Sequence, residues 1–157
     1  MNLIKNIKSI FSPQNVYAHC DIPCGIYDPI SAKIAAQTVL KMTMRMEDID
    51  LSNGVTKVEQ PNGIVRLIRV KEYHSQIVKN ELNILWSDYF KPEHLEKYPE
   101  LHTLFWNANK LAGANKQNVS SKSAKELVGV VDEISTIFWE SKGIAYSDPN
   151  SEIRFGA

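Results

Sequence analysis

"IVRLIRVKEYHSQIVKNELNILWSDYF", residues 64–90, is the stretch on which the fold turns. Ile64, Leu67, Ile68, Val78, Leu82, Leu85 and Tyr89 recur at three- and four-residue intervals, which is the repeat of one helix face, and Pro92 ends the pattern. Counted at 100° per residue, Lys71 and Ser75 fall in the middle of that apolar face and His74 on its flank. Polar groups placed there need partners of their own.

Three further helical patterns lie around this one. Asp28-Pro29 offers an N-cap and a first-turn proline, and Ile34, Ala35, Thr38, Val39, Met42, Met46 and Ile49 then form one face. Residues 50–63 carry two Asn-Gly pairs and Pro61 and read as a loop, with room for a short strand in Val55–Val58. Pro99 opens a third helix through Leu101, Leu104, Phe105, Ala108, Leu111 and Ala112 to about Lys116. Ser123 and Glu126 have the spacing of a capping box for a fourth, which carries Leu127, Val130, Val131, Ile134, Ile137 and Phe138 and is closed by Gly143. No run shows convincing period-two alternation. The pattern predicts an all-α fold, an antiparallel four-helix bundle, with an aperiodic tail over 144–157 that is disordered or lies across a neighbouring subunit.

Composition narrows the function classes. The 157 residues hold 18 basic and 18 acidic side chains, so there is no whole-molecule field to hold nucleic acid, and any steering of a charged substrate must be local. No apolar run is long enough to span a bilayer, so a soluble protein with no membrane partner is expected. Two cysteines are too few for a disulfide scaffold; they favour a reducing, cytoplasmic setting and a metal or redox role.

The first 18 residues stand apart. Val16 and Ala18 before His19 satisfy the small-residue rule of a signal-peptidase site, yet Lys5 and Lys8 interrupt the apolar stretch and Pro13 follows it. Leu3, Ile4, Ile7, Ile10 and Phe11 fall at helical spacing, so 1–18 reads as a short amphipathic pro-segment.

"HCDIPCGIYDP", residues 19–29, contains both cysteines. Cleavage between Ala18 and His19 would expose a new α-amine. That amine, the Cys20 amide nitrogen and the Cys20 thiolate can close two five-membered chelate rings, and Cys24 can bring a second thiolate to the fourth corner of a plane. The His19 imidazole can reach an axial position. A square plane of nitrogen and thiolate suits nickel(II) or copper(II), whereas zinc prefers a tetrahedron. Before cleavage the His19 nitrogen is an amide and the site cannot assemble in this form. By spacing alone, the two cysteines are also compatible with incidental thiols or a labile disulfide.

At these residues the chain resembles the nickel-containing superoxide dismutases, whose mature amino terminus has the form H-C-D-x-P-C-G-x-Y-D-P. "LWSDYFKPEHLEKYPELH", residues 85–102, resembles the family's segment between its second and third helices. The resemblance runs from His19 to about Lys142. It implies a four-helix-bundle domain over 19–157 with its hook at 19–29, usually assembled as a homohexamer, and removal of the leader by a dedicated processing peptidase. It implies one nickel ion per subunit and disproportionation of superoxide to dioxygen and hydrogen peroxide. His19 would supply the amine and axial imidazole, Cys20 an amide nitrogen and a thiolate, and Cys24 the second thiolate. Asp21, Tyr27 and Tyr89 match positions bordering the hook and the substrate approach. The family holds the axial imidazole with a glutamate and an arginine, and the positions that align here are Ala35 and His74. This leaves His74 as the group expected to orient the His19 ring.

Two other functions compete on the residues alone. One is a thiol-based, peroxide-responsive protein using Cys20 and Cys24, and the other is a helical assembly module with incidental cysteines. His94 and His102 are expected to serve as polar surface or hydrogen-bonding groups.

Overall fold

The computed structural model describes residues 25–50, 52, 54 and 57–156, and all regular structure among them is helical. Helix α1 spans Ile30–Glu47 and α2 spans Glu59–Ile84, the latter continuing through a π-helical turn, Leu85–Tyr89. A short α3, Pro92–Lys97, precedes α4, Leu101–Gln117, and α5, Ser121–Ser141; α6 is a single turn, Ser151–Phe155. The four long helices are those expected.

They close into a ring in which α1 packs on α2 and α5, and α4 packs on the same two helices. Contacts between the ends show that neighbours run antiparallel. Lys33 near the start of α1 pairs with Asp132 just past the middle of α5, while Glu47 at the end of α1 accepts from the backbone N–H of Ser121 at the start of α5. Lys71 likewise reaches the end of α4 and Trp86 meets its beginning at His102 and Phe105. The core between them holds Val39, Val78, Leu82, Leu101, Leu127, Val131, Ile134 and Phe138, all fully buried.

The buried face of α1 is the expected one only in part, since Ala35 and Val39 are buried as expected but the rest of the stripe is rotated. Ala32, Ala35, Ala36, Val39, Leu40 and Thr43 face inward, whereas Ile34 is 41 % exposed and Met42 is only half-buried. Alanine is weakly apolar by area but lets helix axes approach closely, so close packing selects a stripe that a count of large side chains misses.

Helix α2 starts five residues earlier than its periodicity indicates, at Glu59 rather than Ile64, and takes in Pro61 and the second Asn-Gly pair. A proline in the first turn has no N–H to leave unpaired where the helix cannot use one. Lys57 and Val58 form a turn, and Val55 and Thr56 lie outside the described residues. Helix α5 begins two residues before the Ser123 box: Ser120 is its N-cap, with Oγ accepting from Ser123 N at 3.3 Å. Gly143, at φ +74°, closes the helix as expected.

The tail folds back on its own bundle. Gln37 Nε2 donates to Ser151 Oγ at 2.8 Å, Arg154 Nε donates to Gln37 Oε1 at 3.0 Å, and Arg154 pairs with Asp148. The Tyr146 hydroxyl donates to Asp132 Oδ1 at 3.3 Å, and burial pushes its pKa up to about 12, so it remains a donor at neutral pH. Aperiodic over 144–150, this segment is held by polar contacts rather than by an apolar stripe, which is why no helical repeat marks it.

Candidate metal centre and its approach

Ala18, His19, Cys20, Asp21 and Cys24 lie outside the described residues, and the description begins one residue past Cys24. Gly25 has φ +67°, a conformation that costs a side chain about 1–2 kcal/mol and a glycine almost nothing. Pro29 is buried and Asp28 Oδ1 accepts from Ile30 N at 2.8 Å, so the carboxylate caps the first turn of α1 and fixes the root of the hook.

That root lies against the end of α2. Ile26, Tyr27, Asp28 and Ser31 face Glu81, Ile84 and Leu85 across a cleft of about 340 Å³. The π turn follows at once, with Phe90 N donating to Leu85 O at 3.0 Å in the i to i−5 pattern. The extra residue in that turn swings Tyr89 out of the α-helical register. Its ring comes to 5.6 Å from the ring of Tyr27, at an interplanar angle of 55°. Two tyrosines far apart in sequence thus stand together beside the segment that leaves Cys24.

Tyr89 is held from several sides. Its ring lies 4.5 Å from Phe138 and stacks on His94 at 5.6 Å and 10°. Its hydroxyl is 2.6 Å from Ser141 Oγ, and Ser141 donates its only hydroxyl hydrogen to Phe138 O at 2.7 Å. Tyr89 is therefore the donor to Ser141. His94 Nδ1 accepts from Lys91 N at 3.0 Å, which fixes its ring on the tyrosine. The expectation of a hydrogen-bonding role for His94 holds; its stacking on Tyr89, like the parts played by Ser141 and Phe138, carries no signal in the sequence because it depends on how α5 docks.

Lys71 and Ser75 are buried in mid-face, as the helical count requires, and His74 is half-buried on the flank. The Lys71 ammonium donates to Asn115 O, Lys116 O and Asn118 O at 2.6, 3.1 and 2.7 Å, capping the end of α4. His74 Nδ1 is 2.8 Å from Val70 O; a carbonyl only accepts, so Nδ1 carries the proton and Nε2 of the neutral ring keeps its lone pair. Ala35 is buried and offers no polar group at all.

Among the described residues no group of three or more His, Cys, Asp or Glu side chains could hold a metal ion. Both cysteines of the chain, Cys20 and Cys24, lie outside the described residues, and thiolates are soft donors that suit nickel rather than a hard cation. Gly25, in the left-handed region, and Asp28, which accepts from Ile30 N, are the described residues that follow Cys24. No described helix is long and apolar enough to cross a membrane.

A sequence model of the family "Nickel-containing superoxide dismutase" matches residues 14–142, from upstream of His19 to the end of α5. The chain is 36% identical over 140 residues to "Superoxide dismutase [Ni]" of Streptomyces seoulensis, covering 87% of this chain and 98% of that protein. It is 36% identical over 137 residues to the protein of the same name from Streptomyces coelicolor, with the same coverage. Among solved structures it is similar to a native nickel superoxide dismutase, with a TM-score of 0.70 at 36% identity, covering 79% of this chain and 99% of that one.

Proposed function

This chain belongs to the nickel-containing superoxide dismutase family, and from that premise we propose that residues 19–24, freed at their amino end by cleavage after Ala18, form its working centre. It is an oxidoreductase that disproportionates superoxide and carries one nickel ion per subunit as its cofactor. The thiol-based reading of Cys20 and Cys24 has no support beside this.

In our reading His19 would hold the metal through its amine and imidazole, Cys20 through its amide nitrogen and thiolate, and Cys24 through the other thiolate. A nickel ion held there would supply the one-electron chemistry, divalent to trivalent and back, by which one superoxide is oxidised to dioxygen and a second, taking up two protons, is reduced to hydrogen peroxide. The two thiolates and the amide nitrogen donate electron density and so favour the higher oxidation state. Tyr27 and Tyr89, 5.6 Å apart, border the approach and limit what reaches the hook. Asp21 lies between the two cysteines in the sequence and helps set the shape of the loop. The Nε2 lone pair of His74 accepts from the His19 ring, directly or through one water, in the place where Ala35 can contribute nothing. The pairing of Tyr27 with Tyr89 beside the exit from Cys24 carries this reading, because it sets two tyrosines at the approach to the only thiols in the chain.

We further infer a cytoplasmic homohexamer whose leader is removed by a processing peptidase. Exposed Val65, Tyr73 and Trp106 on α2 and α4 leave apolar surface for a second copy. Protein beginning at His19 should take up one nickel per subunit and dismute superoxide, while the chain retaining residues 1–18 should not. Full activity with Met1 intact would remove the amine from the ligand set. Replacing Cys20 or Cys24 by serine should abolish activity and the nickel(III) EPR signal while leaving the helical bundle folded.

A further inference from the structure

Superoxide is an anion, and the 18 basic and 18 acidic side chains of the full chain, of which Lys5 and Lys8 leave with the leader, give the processed protein no positive net field to attract it. Its approach depends on where single charges stand. Lys142, the residue that ends α5, holds its ammonium 4.8 Å from the ring centroid of Phe138, 5.3 Å from that of Tyr89 and 5.9 Å from that of Trp139. Two of those rings lie one turn back on its own helix; the third borders the hook.

The local backbone keeps the side chain there. Lys142 N donates to Trp139 O, and Gly143, at φ +74°, turns the following chain away so that Ile144 N can reach the same carbonyl. Ring faces attract an ammonium by about 0.5–2 kcal/mol through their quadrupole, but they carry no net charge and do not neutralise it. Lys33 is spent on Asp132 and Lys71 on three carbonyls. Among the described residues the ion pairs are Lys33–Asp132 and Arg154–Asp148, and neither takes up the charge of Lys142, which remains exposed to solvent.

We propose that Lys142 is a substrate-steering residue, whose ring-held ammonium draws superoxide toward the Tyr27–Tyr89 pair. The proposal rests on the functional reading of the hook. From Lys142 to Tyr27 is two ring spacings, through Tyr89. That is comparable with a Debye length of about 10 Å at 0.1 M salt, so the attraction is felt at low ionic strength and screened at high.

The test is kcat/KM for superoxide in the processed, nickel-loaded enzyme, measured by pulse radiolysis from about 0.01 M to about 1 M salt, where the Debye length falls from about 30 to about 3 Å. Wild type is measured first; a nickel-loaded wild type that does not consume superoxide would overturn the functional reading rather than the role of Lys142. Lys142→Gln should lower the low-salt rate about two- to fivefold and Lys142→Glu about tenfold, and both should converge on wild type at high salt. Lys142→Arg, which keeps charge and ring contacts, should retain the rate, and Lys110→Gln on α4 should leave it unchanged. Low-salt rates equal to wild type in both the Gln and Glu variants would overturn the proposal. So would a loss that persists undiminished at high salt, since packing does not respond to screening.

Discussion

The hydroxyl of Tyr89 donates to Ser141 Oγ across 2.6 Å, joining the π turn after α2 to the last residue of α5. Ser141 passes the interaction on to Phe138 O, so the tyrosine beside the hook is anchored to the carboxyl end of a helix 52 residues away.

Removing that anchor should cost stability in a way that identifies it. Tyr89→Phe loses one neutral hydrogen bond, worth about 0.5–1.5 kcal/mol, and Ser141→Ala should cost about the same or slightly more. If the two residues act through this bond, the double variant should be little worse than Ser141→Ala alone by urea denaturation. Fully additive losses would show that the contact contributes nothing.

The role given to His74 predicts a spectroscopic change. His74→Ala removes the Nε2 acceptor, and loss of a group that anchors a metal-bound imidazole typically lowers activity or metal affinity about ten- to hundredfold. The axial nitrogen coupling in the nickel(III) EPR spectrum should weaken, and His74→Gln, which keeps an acceptor, should restore part of it. Unchanged coupling and rate in both variants would remove His74 from the mechanism.

Lys71 is predicted to matter for stability alone. It is 2 % exposed and satisfies three carbonyls at the end of α4, so Lys71→Met should destabilise the bundle by about 2–4 kcal/mol in denaturant titrations. Nickel-dependent activity per folded molecule should be unchanged.

A pH dependence follows from Glu47. The backbone N–H of Ser121 donates to its carboxylate at 2.7 Å, and this contact, with the Ser121 side chain, holds its pKa below the ordinary 4.5. A depressed carboxylate adds stability that is fully present above the unfolded value and is lost as pH falls through the folded one. Glu47→Ala should therefore be less stable than wild type at neutral pH, and the gap should close below about pH 4. A gap independent of pH from 7 to 3 would show that the charge is not involved.

The helices of this protein were legible in its sequence to within a few residues because each long one must bury a stripe, and a stripe leaves a period. Lys71 and Ser75 were placed correctly in the middle of the α2 face by geometry alone. The inner face of α1 was read correctly at Ala35 and Val39 but missed Ala32, Ala36, Leu40 and Thr43, because the close approach of α2 and α5 rewards small residues, which contribute little to an apolar count. The Ser123 box failed because Ser120 offers a cap three residues earlier, and two eligible serines cannot be ranked without the turn that precedes them.

What the sequence determined by itself is the chemistry. Two cysteines four residues apart, small residues before His19 and a glycine after Cys24 place the donors we propose for nickel within one short stretch, and the resemblance of that stretch to the family's amino terminus needs no fold to be read. What only the tertiary structure decided is the surroundings of that chemistry. Tyr27 and Tyr89 meet because a π turn re-aims one of them, Ser141, Lys142 and Phe138 join them because α5 ends beside that turn, and the tail returns to Gln37 on α1. These contacts link residues far apart in the chain, and long-range pairing is set by how four helices pack against one another, a property no local window of sequence contains.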